Sequence, residues 1–170
     1  GTTGLSKGAV GTHRNLVANT IQCRVWQPQI REGEEVTLLA IPMFHVYGLI
    51  VGMSLAVQVG SGMVMIPNPR DLKDVLTSID KYRPSMYPGV PTMYNAINNH
   101  PEVLAGKYDL SSIKACISGS APLMRETKDR FEALTGGKLV EGYGLTETLV
   151  ATHCNPIFGE NRTGSIGLPF

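Results

Sequence analysis

Four short stretches carry residue types that could do chemistry. The first is Gly1-Thr2-Thr3-Gly4-Leu5-Ser6-Lys7-Gly8. Glycines let backbone N–H groups converge on an anion, threonine hydroxyls add donors and Lys7 adds positive charge, which together make a phosphate cradle. It departs from the common strand–loop–helix phosphate motif, because Ser6 rather than glycine precedes Lys7 and Gly8 takes the Ser/Thr position. A polar turn leading into a helix reads equally well. The second stretch is Pro42-Met43-Phe44-His45-Val46-Tyr47-Gly48, where His45 and Tyr47 could line a crevice and His45 could equally be a helix-start histidine.

The third is Ser118-Gly119-Ser120-Ala121-Pro122-Leu123, whose small side chains let a flat ring lie against the backbone. A tight strand-to-helix turn with Pro122 in the first helical turn gives the same pattern. The fourth is Glu141-Gly142-Tyr143-Gly144-Leu145-Thr146-Glu147. Tyr143 could stack on a base, Thr146 could bond a phosphate, and the Glu147 carboxylate could hold magnesium. Against this stands an ordinary glycine-rich loop before a helix.

The elements that must position these stretches alternate in type. Thr12 can cap a helix running to about Trp26. Val36–Ile41 is an apolar strand ended by Pro42, an apolar helix runs from about Val46 to Val59, and Met63–Ile66 is a buried strand stopped by Pro67. Asp71 caps a helix with Leu72, Val75, Leu76 and Ile79 at helical spacing. Ser85–Tyr87 is a weaker strand, and Pro91 opens a helix through Ala96 and Ile97. Ile113–Ile117 is a strand, Pro122 opens a helix carrying Leu123, Phe131 and Leu134, and Gly136-Gly137 ends it. Lys138–Glu141 is the last clear strand.

Apolar strands separated by helices predict an α/β fold, a mostly parallel sheet flanked by helices on both faces. Each chemistry-bearing stretch then follows a strand and shares one edge of the sheet, where ligand crevices of open parallel sheets lie.

Composition excludes several classes. With 42% hydrophobic and 17% charged residues among 170, the chain is ordinary for one globular domain and argues against disorder. A formal net charge of +1, without runs of like charge, gives no reason to expect nucleic acid as a partner. Cys23, Cys116 and Cys154 are widely spaced and odd in number, so neither a disulfide framework nor a zinc site is expected. They read as buried thiols in a reduced, cytoplasmic setting. The uncharged run Gly48–Ile66 approaches membrane-span length, but Gln58 and Gly60-Ser61-Gly62 divide it into a helix and a strand.

Taken together, these motifs resemble the adenylate-forming superfamily, in its acyl-CoA synthetase branch. GTTGLSKG resembles the signature phosphate loop, EGYGLTE the second signature, and FHVYG and SGSAPL the His-containing and adenine-side segments. Asn68-Pro69-Arg70-Asp71 and Gly164-Ser165-Ile166-Gly167-Leu168-Pro169 look most like long-chain fatty-acid–CoA ligases. The resemblance covers essentially all 170 residues and implies a place in the large N-terminal domain of such an enzyme. It implies two half-reactions: a carboxylate attacks the ATP α-phosphorus to give an acyl-adenylate and pyrophosphate, then the thiol of coenzyme A displaces AMP.

By position, the resemblance implies that Thr2, Thr3, Gly4 and Lys7 embrace the phosphates, and that Gly119, Ser120, Ala121 and Pro122 border the adenine. Tyr143, between Gly142 and Gly144, stacks on it, Thr146 contacts the α-phosphate, and Glu147 ligates Mg2+. His45 and Val46 sit beside the acyl-adenylate, while Tyr47 and Gly144 shape the acyl entrance. The implied partners are ATP, a carboxylic acid and coenzyme A; peripheral membrane association of the parent enzyme and a homodimeric state stay open.

The family's ribose-binding aspartate in a Ser/Thr-Gly-Asp segment is missing from residues 1–170, as are the hinge and the small C-terminal domain with its adenylation lysine. The first residues form a turn without an initiator methionine. The chain is therefore expected to be the central part of an AMP-binding domain, inactive alone. An aryl- or hydroxycinnamate-CoA ligase and a non-catalytic nucleotide-binding module are the competing readings.

Overall fold

In the computed structural model, which describes residues 4, 5 and 7–170, strands and helices follow one another largely as the sequence pattern requires. Helix α1 (His13–Trp26) starts at a reciprocal cap: Asn15 N–H donates to Thr12 Oγ1 at 3.2 Å, and Thr12 N–H donates to Asn15 Oδ1 at 3.1 Å. Strand β1 is Val36–Leu39 and β2 is Gly62–Met65. Between them, Gly48–Ser54 is wound as a π-helix that runs into α2 (Leu55–Gln58), a wider winding than the regular helix expected there. Helix α3 (Leu72–Tyr82) is capped by Asp71, whose Oδ1 accepts the Asp74 N–H at 3.2 Å. Helices α4 (Pro91–Asn98) and α5 (Pro101–Leu104) precede β3 (Ala115–Ser118). Helix α6 (Arg125–Thr135) ends at left-handed Gly136, and β4 (Lys138–Leu145), β5 (Val150–Cys154) and β6 (Leu168–Pro169) complete the chain.

β1 pairs parallel with β2, and β3 pairs parallel with β4. Residues 85–89 join the two pairs: Met86 bridges both Thr37 and Ala115 in parallel, and Gly89 bridges Ser118. The weak strand reading at Ser85–Tyr87 is thus a single row of bridges that makes one sheet out of two. β4 then changes partner. Its residues up to Glu141 face β3 in parallel, whereas Gly142–Leu145 pair antiparallel with β5, which pairs in turn with β6. The antiparallel ribbon lies outside the expected α/β pattern.

Two departures correct the sequence reading. Helix α6 begins at Arg125, after an extended Met124, so Pro122 and Leu123 belong to the turn before it. Strand β2 is exposed rather than buried: Met63 is 40% and Met65 60% exposed. Among the described residues it pairs with β1 alone.

Apolar residues fill both faces of the sheet. On one, Leu76 and Ile79 of α3, Tyr94 and Ile97 of α4 and Phe131 of α6 close over Leu38, Cys116 and Leu139. The Tyr94 ring stands edge-on between Tyr87 and Phe131, with centroids at 5.3 and 4.9 Å. On the other face, Cys23 of α1 packs with Tyr47, Ile50, Val51 and Leu55. Among the described residues no helix is long and apolar enough to cross a membrane, and the Gly48–Ile66 run resolves into a helix and a strand.

All three cysteines are free and buried. Burial pushes the Cys23 and Cys154 thiols up to about 12 and raises Cys116 as well, so at neutral pH each stays a protonated, unreactive thiol. We expect the folded protein to react slowly with a thiol reagent at pH 8 and to release three equivalents on unfolding; rapid labelling of any one cysteine in native buffer would contradict this packing.

Candidate active site

A cavity of about 310 Å³ opens where the His segment, the β3 end and the β4–β5 ribbon meet, lined among others by His45, Tyr47, Gly119, Ser120, Tyr143 and Glu147. Three of the four chemistry-bearing stretches therefore converge on it. Val46, Gly142, Gly144 and Thr146 line it too. Ala121 and Pro122 are exposed beyond its lining. Thr2 and Thr3 lie outside the described residues. Gly4 and Lys7 are exposed and stand apart from the described cavity wall.

Each wall is held by a specific contact. His45 Nδ1 accepts the Tyr47 N–H at 3.1 Å, so the histidine starts the helix and faces the cavity at once. With Nδ1 accepting, the neutral ring carries its proton on Nε2. Tyr47 is buried, and its hydroxyl donates to the Ile117 carbonyl at 2.5 Å. Burial drives its phenol pKa well above the ordinary value, with the thiols of Cys154 and Cys116 adding to the rise, so it serves as a neutral donor. Its ring lies against Gly119, where a Cβ would come within 3.1 Å of it.

The turn after β3 is strained. Ser120 has φ 69°, a left-handed conformation that costs a non-glycine residue roughly 1–2 kcal/mol. Gly119 and Ser120 of this turn line the cavity.

The Glu-Gly-Tyr-Gly stretch is strand, not loop. Tyr143 pairs in register with His153, the ring centroids being 6.4 Å apart, and a bulge follows between Tyr143 and Gly144. Tyr143 keeps 44% of its surface exposed, leaving a ring face free. At Gly144 the backbone passes so close to Val150 that any Cβ would overlap the Val150 carbonyl oxygen. Thr146–Thr148 then form a single 3₁₀ turn, in place of the helix weighed from sequence, and Glu147 stands exposed upon it. Leu149 and Val150 follow with φ 57° and 104°.

Helix α1 is tied to the cavity wall at β5. Asn19 is buried and clamps β5 at two points: its Nδ2 donates to the Ala151 carbonyl at 2.8 Å, and Ala151 N–H donates to its Oδ1 at 3.0 Å. The Leu149 side chain sits over Gly11. Helix α1 is thereby tied to the ribbon that carries Glu147.

Several lining residues escaped the sequence reading. Val150, Ala151, His153 and Cys154 come from β5, and Cys23, Gln27 and Phe170 from farther away. The run Val150-Ala151-Thr152-His153-Cys154, with two β-branched residues, was the available strand signal. Nothing local marked Gln27 or Phe170.

The donor set can be tested against Mg2+. Among the described residues no three His, Cys, Asp or Glu side chains cluster as a metal cage. Magnesium commonly needs only one or two carboxylates beside substrate phosphates, and exposed Glu147 at the cavity wall suits that mode.

Comparison with known proteins decides the family. The sequence matches the family described as AMP-binding enzyme across residues 1–170. The chain belongs to that family. It is 49% identical over 170 residues to a long-chain-fatty-acid–CoA ligase of Bacillus subtilis (strain 168), which covers 100% of the chain and 30% of that relative. It is 36% identical to one of Escherichia coli O6:H1, covering 99% of the chain and 30% of that relative. The crystal structure of ATP-bound MatB from Rhodopseudomonas palustris superposes with a TM-score of 0.84 at 31% identity, over 99% of this chain and 32% of that one. The chain thus spans 30% of the length of the curated relatives it matches. The fold is that of AMP-binding enzymes.

Gly144→Ala should lower stability by about 1–3 kcal/mol, the usual cost of forcing atoms into a packed site, read as a shifted urea midpoint. An unchanged midpoint would show that the ribbon can open at no cost.

Proposed function

We propose that this chain is the central part of the AMP-binding domain of an acyl-CoA synthetase that joins a long-chain fatty acid to coenzyme A through an acyl-adenylate. The observation that carries the reading is the meeting, in one cavity, of Tyr143 with a free ring face, the open Gly119–Ser120 backbone, and Glu147. The family match supports nucleotide chemistry. The likeness to long-chain-fatty-acid–CoA ligases supports a fatty acid over an aryl or hydroxycinnamic acid. The cavity lining also includes apolar Val51, Val150, Ala151 and Phe170, as an acyl chain requires.

In this reading adenine lies between Tyr143 and the Gly119–Ser120 turn, with its phosphates directed toward Thr146 and Glu147. Thr2, Thr3, Gly4 and Lys7 approach the phosphates from the α1 side. The acid enters beside His45, Val46 and Tyr47, and its carboxylate displaces pyrophosphate from the α-phosphorus; the coenzyme A thiol then displaces AMP. Positioning and donors aimed at developing charge supply most of the acceleration in such a step. Mg2+, held by Glu147 and the phosphates, would supply charge neutralisation. His45, whose Nδ1 accepts the Tyr47 N–H, leaves Nε2 to donate to the acyl group.

Surface pattern supports the view of a part within a larger body. Val17 of α1 and Val57 of α2, 59% and 65% exposed, line one shallow apolar groove with Ile21 and Met53. Contiguous apolar surface of this kind marks a packing face. The free, buried thiols fit a reducing, cytoplasmic setting.

The test is acid-dependent ATP–pyrophosphate exchange. The full-length enzyme should catalyse it with long-chain fatty acids, and Glu147→Gln should reduce it about a hundredfold or more. The isolated 170-residue chain should give none. Preference for aromatic acids would overturn the substrate assignment. Exchange by the isolated chain at the full-length rate would overturn its description as a part.

A further inference from the structure

Glu141 belongs to the fourth motif, yet its side chain does not line the cavity. It sits at the residue where β4 changes from parallel to antiparallel pairing. Its two carboxylate oxygens take separate backbone donors: Leu123 N–H donates to Oε1 at 3.1 Å, and Gly164 N–H donates to Oε2 at 2.6 Å. Its own carbonyl accepts the Asn155 N–H at 2.9 Å. Asn155, buried, also holds the 160s loop, through Nδ2 to the Ser165 carbonyl at 2.6 Å and Oδ1 accepting the Arg162 N–H at 3.1 Å, and its Nδ2 lies 3.4 Å from the Glu141 carbonyl.

The Leu123 bond matters because of what precedes it. The turn from Gly119 to Pro122 contains left-handed Ser120, and a strained backbone persists only where its surroundings fix it. One end is fixed by Gly119 N–H donating to the Gly89 carbonyl at 3.1 Å. The other is fixed by Leu123 N–H on Glu141. A carboxylate accepting a backbone N–H makes a stronger bond than a neutral acceptor.

We propose that Glu141 is a positioning residue for the nucleotide: its carboxylate holds the strained Gly119–Pro122 turn in the shape that receives adenine. This deepens, and rests on, the adenylation reading above. The role is distinct from base contact, since both oxygens are directed at the chain's own backbone.

Asn155 supplies the comparison, because it shares the 160s loop with Glu141 and does not touch the turn. In the full-length enzyme, Glu141→Ala should weaken Mg-ATP binding, measured by calorimetry without acid, by roughly tenfold or more. The KM for the fatty acid should hold within about twofold, the split expected when one substrate's site alone is disturbed. Asn155→Ala should lower the melting temperature comparably while leaving ATP affinity near wild type. Hydrogen exchange at Leu123 should quicken in Glu141→Ala alone. Where the alanine variant fails to fold, Glu141→Gln, which keeps the volume and one acceptor, carries the same test with a few-fold weakening.

Equal ATP affinity in wild type and the Glu141 variants, or equal weakening by Glu141→Ala and Asn155→Ala, would overturn the positioning role and leave the adenylation reading intact. A wild-type enzyme that binds no Mg-ATP would overturn both.

Discussion

The carbonyl oxygen of Ile117, near the end of β3, is the point on which both faces of the sheet and the site depend. Gly89 N–H donates to it at 3.0 Å from the neighbouring strand segment. The Tyr47 hydroxyl reaches it from one face at 2.5 Å, and the Tyr94 hydroxyl, 2.9 Å from both the Ile117 and Tyr87 carbonyls, reaches it from the other. A carbonyl has two lone pairs, and three donors converge on this one, the single Tyr94 proton being shared with the Tyr87 carbonyl. Both phenols are fully enclosed, and an enclosed hydroxyl without a partner costs about 1–3 kcal/mol. Burial raises the pKa of each, so neither donor is lost by ionisation at neutral pH. The last residues of β3 are thereby pinned from three directions, and the Gly119–Ser120 turn leaves the sheet from a fixed origin.

From that origin the position of the remaining walls follows. Parallel pairing of β3 with β4 brings the Glu141 end of β4 beside Ser118. There the partner changes, and the antiparallel ribbon turns Tyr143 back over the sheet edge. An all-parallel sheet would have carried β4 into a loop and a crossover helix. The ribbon instead keeps Tyr143 in a strand, in register with His153, so that a stacking ring is held by backbone pairing. The Asn19 clamp on Ala151 does the same for α1, setting the helix behind the first motif against the same ribbon.

How much of this the sequence disclosed depended on the range of the signals. Thr12, Asp71 and Pro91 act within one helical turn, and each element begins where those residues place it. The apolar strands are legible as runs, and Ile66 is buried as they require, but Met63 and Met65 are exposed, because a strand's exposure depends on what lies beyond its edge. Pro122 has the chemistry of a first helical turn, yet Leu123 gives its N–H to Glu141 and the helix waits for Arg125. The ribbon was hidden because Gly-Tyr-Gly reads locally as a loop, and only the bulge at Gly144 and the close approach of Val150 explain why glycines stand in a strand. Site convergence was foreseen for His45, Gly119, Ser120, Tyr143 and Glu147. The contacts of Glu141, 18 and 23 residues away, and of Asn19, 132 residues away, leave no local trace.

Strain and polar clamps occur together in this fold. Among the described residues, the non-glycine positions with left-handed backbone are Arg83, Ser120, Leu149 and Val150. Arg83 caps α3 away from the cavity, where such a conformation is an ordinary helix ending. The other three belong to the two segments that border the cavity. Each of those segments is also where a distant side chain grips the backbone: Glu141 takes the N–H of Leu123, three residues after Ser120, and Asn19 takes both backbone groups of Ala151, next to Val150. Glycine at these positions would remove the strain, but it would also free the backbone to leave the shape. A side chain in a disfavoured conformation, held by a buried clamp, has fewer alternatives available than a glycine held by none. The clamps therefore set the shape of the cavity as much as the residues that face it.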